Sequence, residues 1–322
     1  MLKRLFAVTA MLAFATTGVA QDFPTHAITI VVPFAAGGPT DTVTRLIAQG
    51  MTKSLGQTII VENVGGAGGT IGVEKVAHSR PDGYTLLLMH IGIATSASLY
   101  RNLRYDAQTD LDPIGLVIDV PMTMIAKPSF APKDVKDLNA YVKANKDKVT
   151  YAHAGVGSAS HLCGMLYLSA IQADVTTVPY KGTGPAMTDL IGGQVDFMCD
   201  QTTNTTQQIR GGKVKAYAVT SPKRVASLPD LPTFDESGLK GFEVTVWHGL
   251  WATHGTPKSV IDKLDAALQA ALRDPATIAK FAELGGEPVA QNRATPDALR
   301  AHLKSEIEKW SPIIKKAGVY AD

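Results

Sequence analysis

Residues 28–41 read Ile28-Thr29-Ile30-Val31-Val32-Pro33-Phe34-Ala35-Ala36-Gly37-Gly38-Pro39-Thr40-Asp41. The first five are β-branched and favour a strand. Small residues and prolines then break the pattern, and a helical period begins. Val43, Leu46, Ile47 and Met51 share one face of a helix predicted over 41–55, with Thr40 as its cap. Strand, small-residue loop and helix form the repeating unit of an α/β fold.

The unit recurs outward from there. Strands are predicted at 58–61 and 84–89, with a flexible turn at 65–69 and a helix near 71–77 between them. Continuous apolar strands alternating with helices imply a mostly parallel sheet covered on both faces. A second series begins after Pro113, with a charged helix over 133–148. Strands follow at 149–153, 175–180, 195–199 and 214–220, alternating with helices at 159–171, 185–191 and 203–210. Segment 221–242 reads as a connection and 244–251 as a strand. Helices at 257–272, 274–284 and 296–317 close the chain. A helical tail without its own sheet must pack on one already built. The expected lobes are therefore 21–121 with 247–322, and 122–246, crossed by the chain near 114–126 and 240–250. Two crossings make a hinge.

The 322 residues have globular composition, with 45% hydrophobic and 19% charged residues. Lys3 and Arg4 precede an apolar run over 5–14, and Gly18-Val19-Ala20 supplies small residues for cleavage. Residues 1–20 read as a signal peptide cleaved near Ala20, which implies export to the periplasm. The run is too short to span a bilayer. Removing it takes away two of the 31 basic residues and leaves 29 of each sign. A neutral chain has no general attraction to nucleic acid, so anion selectivity must be local. Export permits a disulfide between Cys163 and Cys199; two buried free thiols are the alternative reading.

Two loops carry the candidate chemistry. One runs from Pro33 to Asp41, with Phe34, Ala36, Gly37, Gly38, Thr40 and Asp41 as candidate ligand-binding residues. The other holds Gly155, Gly157, Ser158, Ser160 and His161. Each follows a strand and opens a helix, and unsatisfied N–H groups at a helix start favour an anion. Neither loop holds Lys or Arg. Fixed neutral donors suit a ligand that must be released, since a buried unpaired charge is costly in the empty state. Gly37-Gly38-Pro39-Thr40 lacks the lysine of a P-loop. Gly155-Val156-Gly157-Ser158-Ala159 is not the nucleophile elbow of a hydrolase. No metal-ligand spacing appears among the histidines, and no cofactor is expected.

His90, His161 and His248 map to the cleft side, with His90 and His161 read as donors to the ligand. Asp200 follows the 195–199 strand, where capping the next helix competes with ligand contact. Trp247 reads as an apolar wall beside the ligand, with hinge packing as the alternative.

In combination these features resemble the Bug-type extracytoplasmic solute receptors of tripartite tricarboxylate transporters. The matching segments span the mature chain: residues 30–38 with Asp41; Val61-Glu62-Asn63 with the 65–69 glycine run; Arg80-Pro81-Asp82-Gly83-Tyr84-Thr85-Leu86-Leu87; Val178-Pro179-Tyr180-Lys181-Gly182; Gly192-Gly193-Gln194-Val195-Asp196; and Leu231-Pro232-Thr233-Phe234. The resemblance implies a type II periplasmic-binding-protein fold and carboxylate capture by the two loops, partly through ordered waters. It also implies membrane transporter components as partners, with the receptor expected as a monomer. Two positions depart from the family pattern. Met89-His90-Ile91-Gly92 stands where a small Asn-containing turn is usual, and Cys199 where an aromatic residue is frequent. Added imidazoles suit a second anionic group, so the expected ligand is a dicarboxylate, with aromatic terephthalate as one form. A ligand sensor for a signalling partner and an exported Ser/His hydrolase are the competing functions.

Overall fold

The computed structural model describes residues 22–318 and 320–321. The signal peptide read at 1–20 lies outside them. The first half holds β1 (Ile28–Val32), α1 (Pro39–Leu55), β2 (Ile59–Asn63), α2 (Thr70–Ala77), β3 (Thr85–His90) and α3 (Gly92–Leu99). A long strand, β4 (Leu111–Ala126), leads into α4 (Val135–Ala144), β5 (Thr150–His153), α5 (Ala159–Ala170), β6 (Thr176–Pro179), α6 (Thr183–Ile191), β7 (Phe197–Gln201), α7 (Thr202–Arg210) and β8 (Lys215–Val219). The chain returns through β9 (Thr245–Thr253) and ends with α8 (Lys258–Arg273), α9 (Pro275–Glu283), β10 (Glu287–Pro288) and α10 (Pro296–Ala317).

The strand order is β2-β1-β3-β9-β4-β7-β5-β6, with β8 and β10 also pairing to β4. β1 is parallel to β2 and β3, and β5 is parallel to β6 and β7. These are the strand–helix–strand units expected from the sequence. The middle is not parallel. β9 lies antiparallel to both β3 and β4, and β4 lies antiparallel to β7 and β8. The mostly parallel sheet is thus corrected to a mixed one, because the two connecting strands must run back between the halves.

β4 serves both halves. Its residues 111–121 pair with β9, and residues 122–126 pair with β7 and β8. Thr220 ties the two connections together. Its hydroxyl donates to Val244 O at 2.5 Å and accepts from Met122 N at 2.9 Å.

The apolar periodicity of α1 holds. Val43, Ile47 and Met51 are fully buried, and Leu46 packs partly buried against the same core. The helix begins earlier than expected, because Pro39 takes its first turn and Gly38 is the N-cap. Proline has no N–H to lose there and its φ suits the helix. Thr40 is therefore not the cap.

Candidate functional site

Three helix starts converge on one small pocket. α1 begins after Gly38, whose backbone is extended and which supplies no side-chain cap. The first N–H groups of that helix therefore remain available. α5 begins after Ser158, whose Oγ accepts from His161 N at 3.2 Å. Ser160 Oγ accepts from Ala154 N at 2.9 Å and lies 3.1 Å from Ser158 Oγ. α6 begins after Gly182, again without a side-chain cap, and the buried Thr183 hydroxyl lies near Asp200 but meets hydrogen-bond geometry with none of the described residues. The starts of α1 and α6 abut: a Cβ added at Gly38 would stand 3.5 Å from Gly184 N and 3.6 Å from Thr183 Oγ1.

The pocket is a narrow cavity of about 10 Å³. Its lining includes Phe34, Gly38, Pro39 and Thr40 from the first half, and His90 from the end of β3. From the second half come Ala154, Ser158, Ala159, Ser160, Thr183, Asp200 and Gln201. Among the described residues, no Lys or Arg lines it. Bonds between the halves close its rim: Ala35 N donates to Lys181 O at 2.8 Å, Thr95 Oγ1 to Gly157 O at 2.9 Å, and the Tyr100 hydroxyl to Val156 O at 2.9 Å.

His90 is the last residue of β3 rather than one beyond it. Its Nδ1 accepts from Gly92 N at 3.0 Å, so the neutral ring carries its proton on Nε2. The ring stacks on Phe34 at 4.7 Å between centroids. Burial pulls its pKa down to about 4, so it is a neutral donor near pH 7. His248 lies within β9, fully buried, with Nε2 3.4 Å from Thr40 Oγ1 and Nδ1 unpartnered. Burial, reinforced by any charge on His90, holds its pKa well below the ordinary value.

Several expected contacts are placed elsewhere. Asp41 holds the first loop in shape: its Oδ2 accepts from Gly37 N and Arg45 Nε, both at 3.0 Å, and its Oδ1 from Asn63 Nδ2 at 3.0 Å. Burial opposes its ionisation, but Arg45, the Gly37 N–H and Asn63 together hold the carboxyl below the usual range. Ala36 and Gly37 stand outside the lining, beside Gly184. Gly155 and Gly157 also stand outside it and face the first half; a Cβ on Gly155 would come within 2.8 Å of Gly68 N. His161 does not line the pocket either. Its Nδ1 sits 3.4 Å from Gly157 N, and its ring lies 4.9 Å from that of His153. Burial, then the neighbouring His153, lowers its pKa to about 4. Neither ring nitrogen of His161 bonds Ser158, whose Oγ is engaged by His161 N and Ser160, so no nucleophile–base pair forms here.

Trp247 turns away from the pocket. Its indole Nε1 donates to Glu306 Oε2 at 3.0 Å, and its ring meets His302 of α10 edge-on. It packs β9 against α10. Asp200 does not cap α7; the cap position is Gln201. The residues missed from sequence are Pro39, Ala154, Ala159, Thr183 and Gln201. The α6 start was findable, because Gly182-Thr183-Gly184 repeats the small-residue and hydroxyl pattern of the other two loops. Cys163 on α5 and Cys199 on β7 are joined by a disulfide. Beside it, the Tyr151 hydroxyl donates to Ser160 O at 2.6 Å and accepts from Cys199 N at 3.1 Å.

Two α/β halves joined by antiparallel connecting strands, with a polar pocket between facing helix starts, define a solute receptor of the periplasmic-binding-protein class. The chain belongs to the tripartite tricarboxylate transporter family of receptors, TctC, whose model matches residues 43–319. It is of the Bug type. The solved periplasmic binding protein BugD is similar at 57% identity and a TM-score of 0.91, covering 93% of this chain and 100% of that one. MatC from Rhodopseudomonas palustris, solved with bound malate, is 42% identical with a TM-score of 0.87, covering 91% and 100%. The UPF0065 protein in the TAR-I ttuE-ttuC' intergenic region of Agrobacterium vitis is 54% identical over 300 residues, 93% of this chain and 87% of that one.

Proposed function

We propose that this receptor captures a short dicarboxylate in the periplasm, after cleavage near Ala20, and presents it to the membrane components of a tripartite transporter. The observation that carries this reading is the convergence of the α1, α5 and α6 starts on one pocket with no Lys or Arg among the described residues of its lining. Helix starts and neutral hydroxyls stabilise anionic oxygens without leaving a bare cation in the empty protein. The His90 Nε2–H adds a neutral donor for the second carboxylate. The malate held by MatC is of this class. An aromatic dicarboxylate such as terephthalate is not favoured: Trp247, its intended wall, packs on α10, and the pocket is small.

The moving bodies are residues 21–121 with 247–322 and residues 122–246, turning about β4 and β9. Ligand engages one set of donors, the halves close, and the rim bonds complete the enclosure. A ligand that binds the closed form better shifts the population toward it.

Calorimetry of the mature protein with acetate, succinate, malate and terephthalate tests the reading. The expected order places the four-carbon dicarboxylates at least tenfold ahead of acetate and terephthalate. Ser158→Ala weakens binding of whichever leads. Acetate binding as tightly as succinate or malate overturns the reading.

A further inference from the structure

A second and larger cleft lies behind the hinge. It measures about 720 Å³ and is walled by residues 221–227 of the second half and 285–290 of the first, with Asp119 and Pro121 of β4 and Thr245 of β9 also in its lining. Asp119 pairs with Trp247, and Pro121 with Thr245, in the β4–β9 ladder; residues paired in register share a face. Trp247 turns to α10, while its neighbour His248 reaches Thr40, which lines the solute pocket. Successive strand residues point to opposite faces, so pocket and cleft lie on opposite faces of the two crossing strands. Rotation about β4 and β9 that narrows one widens the other. The solute pocket is the narrow one, at about 10 Å³ with its rim bonded across the halves, and the rear cleft stands wide.

Both walls are held in place. Arg210 Nε and Nη2 donate to Ser227 O at 3.1 and 2.8 Å, and Arg224 pairs with Glu236. On the other side β10 pairs with β4, and Arg293 pairs with Asp119. The halves stay in touch beside the cleft: Thr202 Oγ1 donates to Gly285 O at 2.8 Å and Thr206 Oγ1 to Leu284 O at 3.0 Å. Two lining charges are left over. Lys223 on the second-half wall and Glu287 on the first-half wall are exposed, and neither has an ion partner among the described residues. Pro121, Val225, Pro288 and Val289 supply apolar surface in the same cleft. The buried Ser227 hydroxyl, also of the lining, meets no hydrogen-bond partner among the described residues.

We propose that the rear cleft is a second binding site, that it takes a short zwitterionic peptide with apolar side chains, and that filling it favours the closed form. The charges stand on opposite walls, which suits a molecule whose own charges stand at opposite ends. The peptide carboxylate lies toward Lys223, its ammonium toward Glu287, and its side chains lie on the prolines and valines. A volume of this size is ordinary for a small-molecule site. A molecule that binds the closed form better shifts the halves toward it, and such coupling is reciprocal, so a peptide behind and a solute in front strengthen each other. The inference rests on the hinge of the reading above and not on its choice of solute.

The test is calorimetry of the mature protein with the tripeptide alanyl-leucyl-alanine and with the same peptide acetylated at its amino end and amidated at its carboxyl end. The free zwitterion binds the wild type, and the blocked form binds at least threefold more weakly. Lys223→Ala and Glu287→Ala each weaken the zwitterion about two- to fivefold, the scale of an exposed ion pair. Ala226→Trp and Ala290→Trp replace one exposed residue on each wall with a side chain that fills the cleft, and at least one of them abolishes binding. Thermal melts confirm that these variants fold. Gly68→Ala adds a Cβ that would overlap Val156 O at the front rim; it keeps the halves from closing and weakens the peptide at least threefold. A wild type that does not bind the tripeptide at millimolar concentration overturns the site. Unchanged binding in both tryptophan variants places the peptide elsewhere and overturns it equally. A blocked peptide that binds as tightly as the zwitterion overturns the role of the two charges, and equal affinity in wild type and Gly68→Ala overturns the coupling. None of these results bears on the four-carbon dicarboxylates.

Discussion

His90 and His248 are register partners across β3 and β9, with ring centroids 5.8 Å apart and both rings buried. Burial lowers both pKa values, His90 to about 4, and the same cause brings His161 to about 4. The unfolded rings titrate near 6.5 and so bind protons that the folded rings refuse. Their contribution to stability is complete above about 6.5 and is lost as the pH falls toward 4. Asp200 works in the opposite sense. Its folded pKa of about 6 exceeds the ordinary 3.8, so stability from this group falls as the pH rises through that window. Three rings outweigh one carboxyl. The melting temperature of the ligand-free protein is expected to drop by roughly 5–10 °C from pH 7 to pH 4.5. A flat or rising profile in a scanning fluorimetry series would count against buried neutral rings.

Gly68 lies under the second-half loop. A Cβ there would come 1.9 Å from Val156 O, and its φ of +61° is one that alanine adopts at a cost of about 1 kcal/mol. Gly68→Ala is therefore expected to hold the halves apart. Ligand affinity should fall at least tenfold, with a larger radius of gyration by small-angle scattering in saturating ligand. Affinity within twofold of the wild type would show that the rim can yield without opening.

The Tyr100 hydroxyl bonds Val156 O from the first half to the second. Removing one such bond costs about 0.5–1.5 kcal/mol. In Tyr100→Phe the ligand off-rate should rise about two- to tenfold in stopped-flow fluorescence, with little change in on-rate. An effect confined to the on-rate would place this bond outside the closed form.

Glu306 joins α10 to β9. Its Oε2 accepts from both Trp247 Nε1 and Trp310 Nε1 at 3.0 Å. Glu306→Ala leaves two indole N–H groups without their acceptor and should cost about 2–4 kcal/mol in urea unfolding. Glu306→Gln keeps one amide oxygen as acceptor and should cost less. Equal losses in the two variants would mean that packing, not the hydrogen bonds, holds α10.

The strand–helix units were legible because their signals are local. β-branched runs, helical periodicity and small-residue loops gave α1, α5 and their strands to within a few residues. β4 was not legible as one strand, because Pro113 and Pro121 interrupt it. The structure tolerates them at irregular or terminal pairing positions with β9: the register shifts after Pro113, and Pro121 ends that ladder. Trp247 and His248 were both assigned to the cleft, although neighbouring strand residues face opposite sides. His248 took the cleft side and Trp247 the helix side. For Asp200, capping competed with ligand contact, because an acidic residue before a helix is often its cap. That its carboxylate would line the pocket depends on β7 meeting β4, a contact between segments far apart in sequence.

The Cys163–Cys199 bridge joins α5, five residues after its cap Ser158, to the residue immediately before Asp200. The start of α5 and the buried Asp200 carboxylate are therefore stitched into one wall, with Tyr151 bonded to both sides of the seam. That wall is cast before any solute arrives. The solute spends none of its binding free energy arranging it, and what remains is available to draw the two halves together.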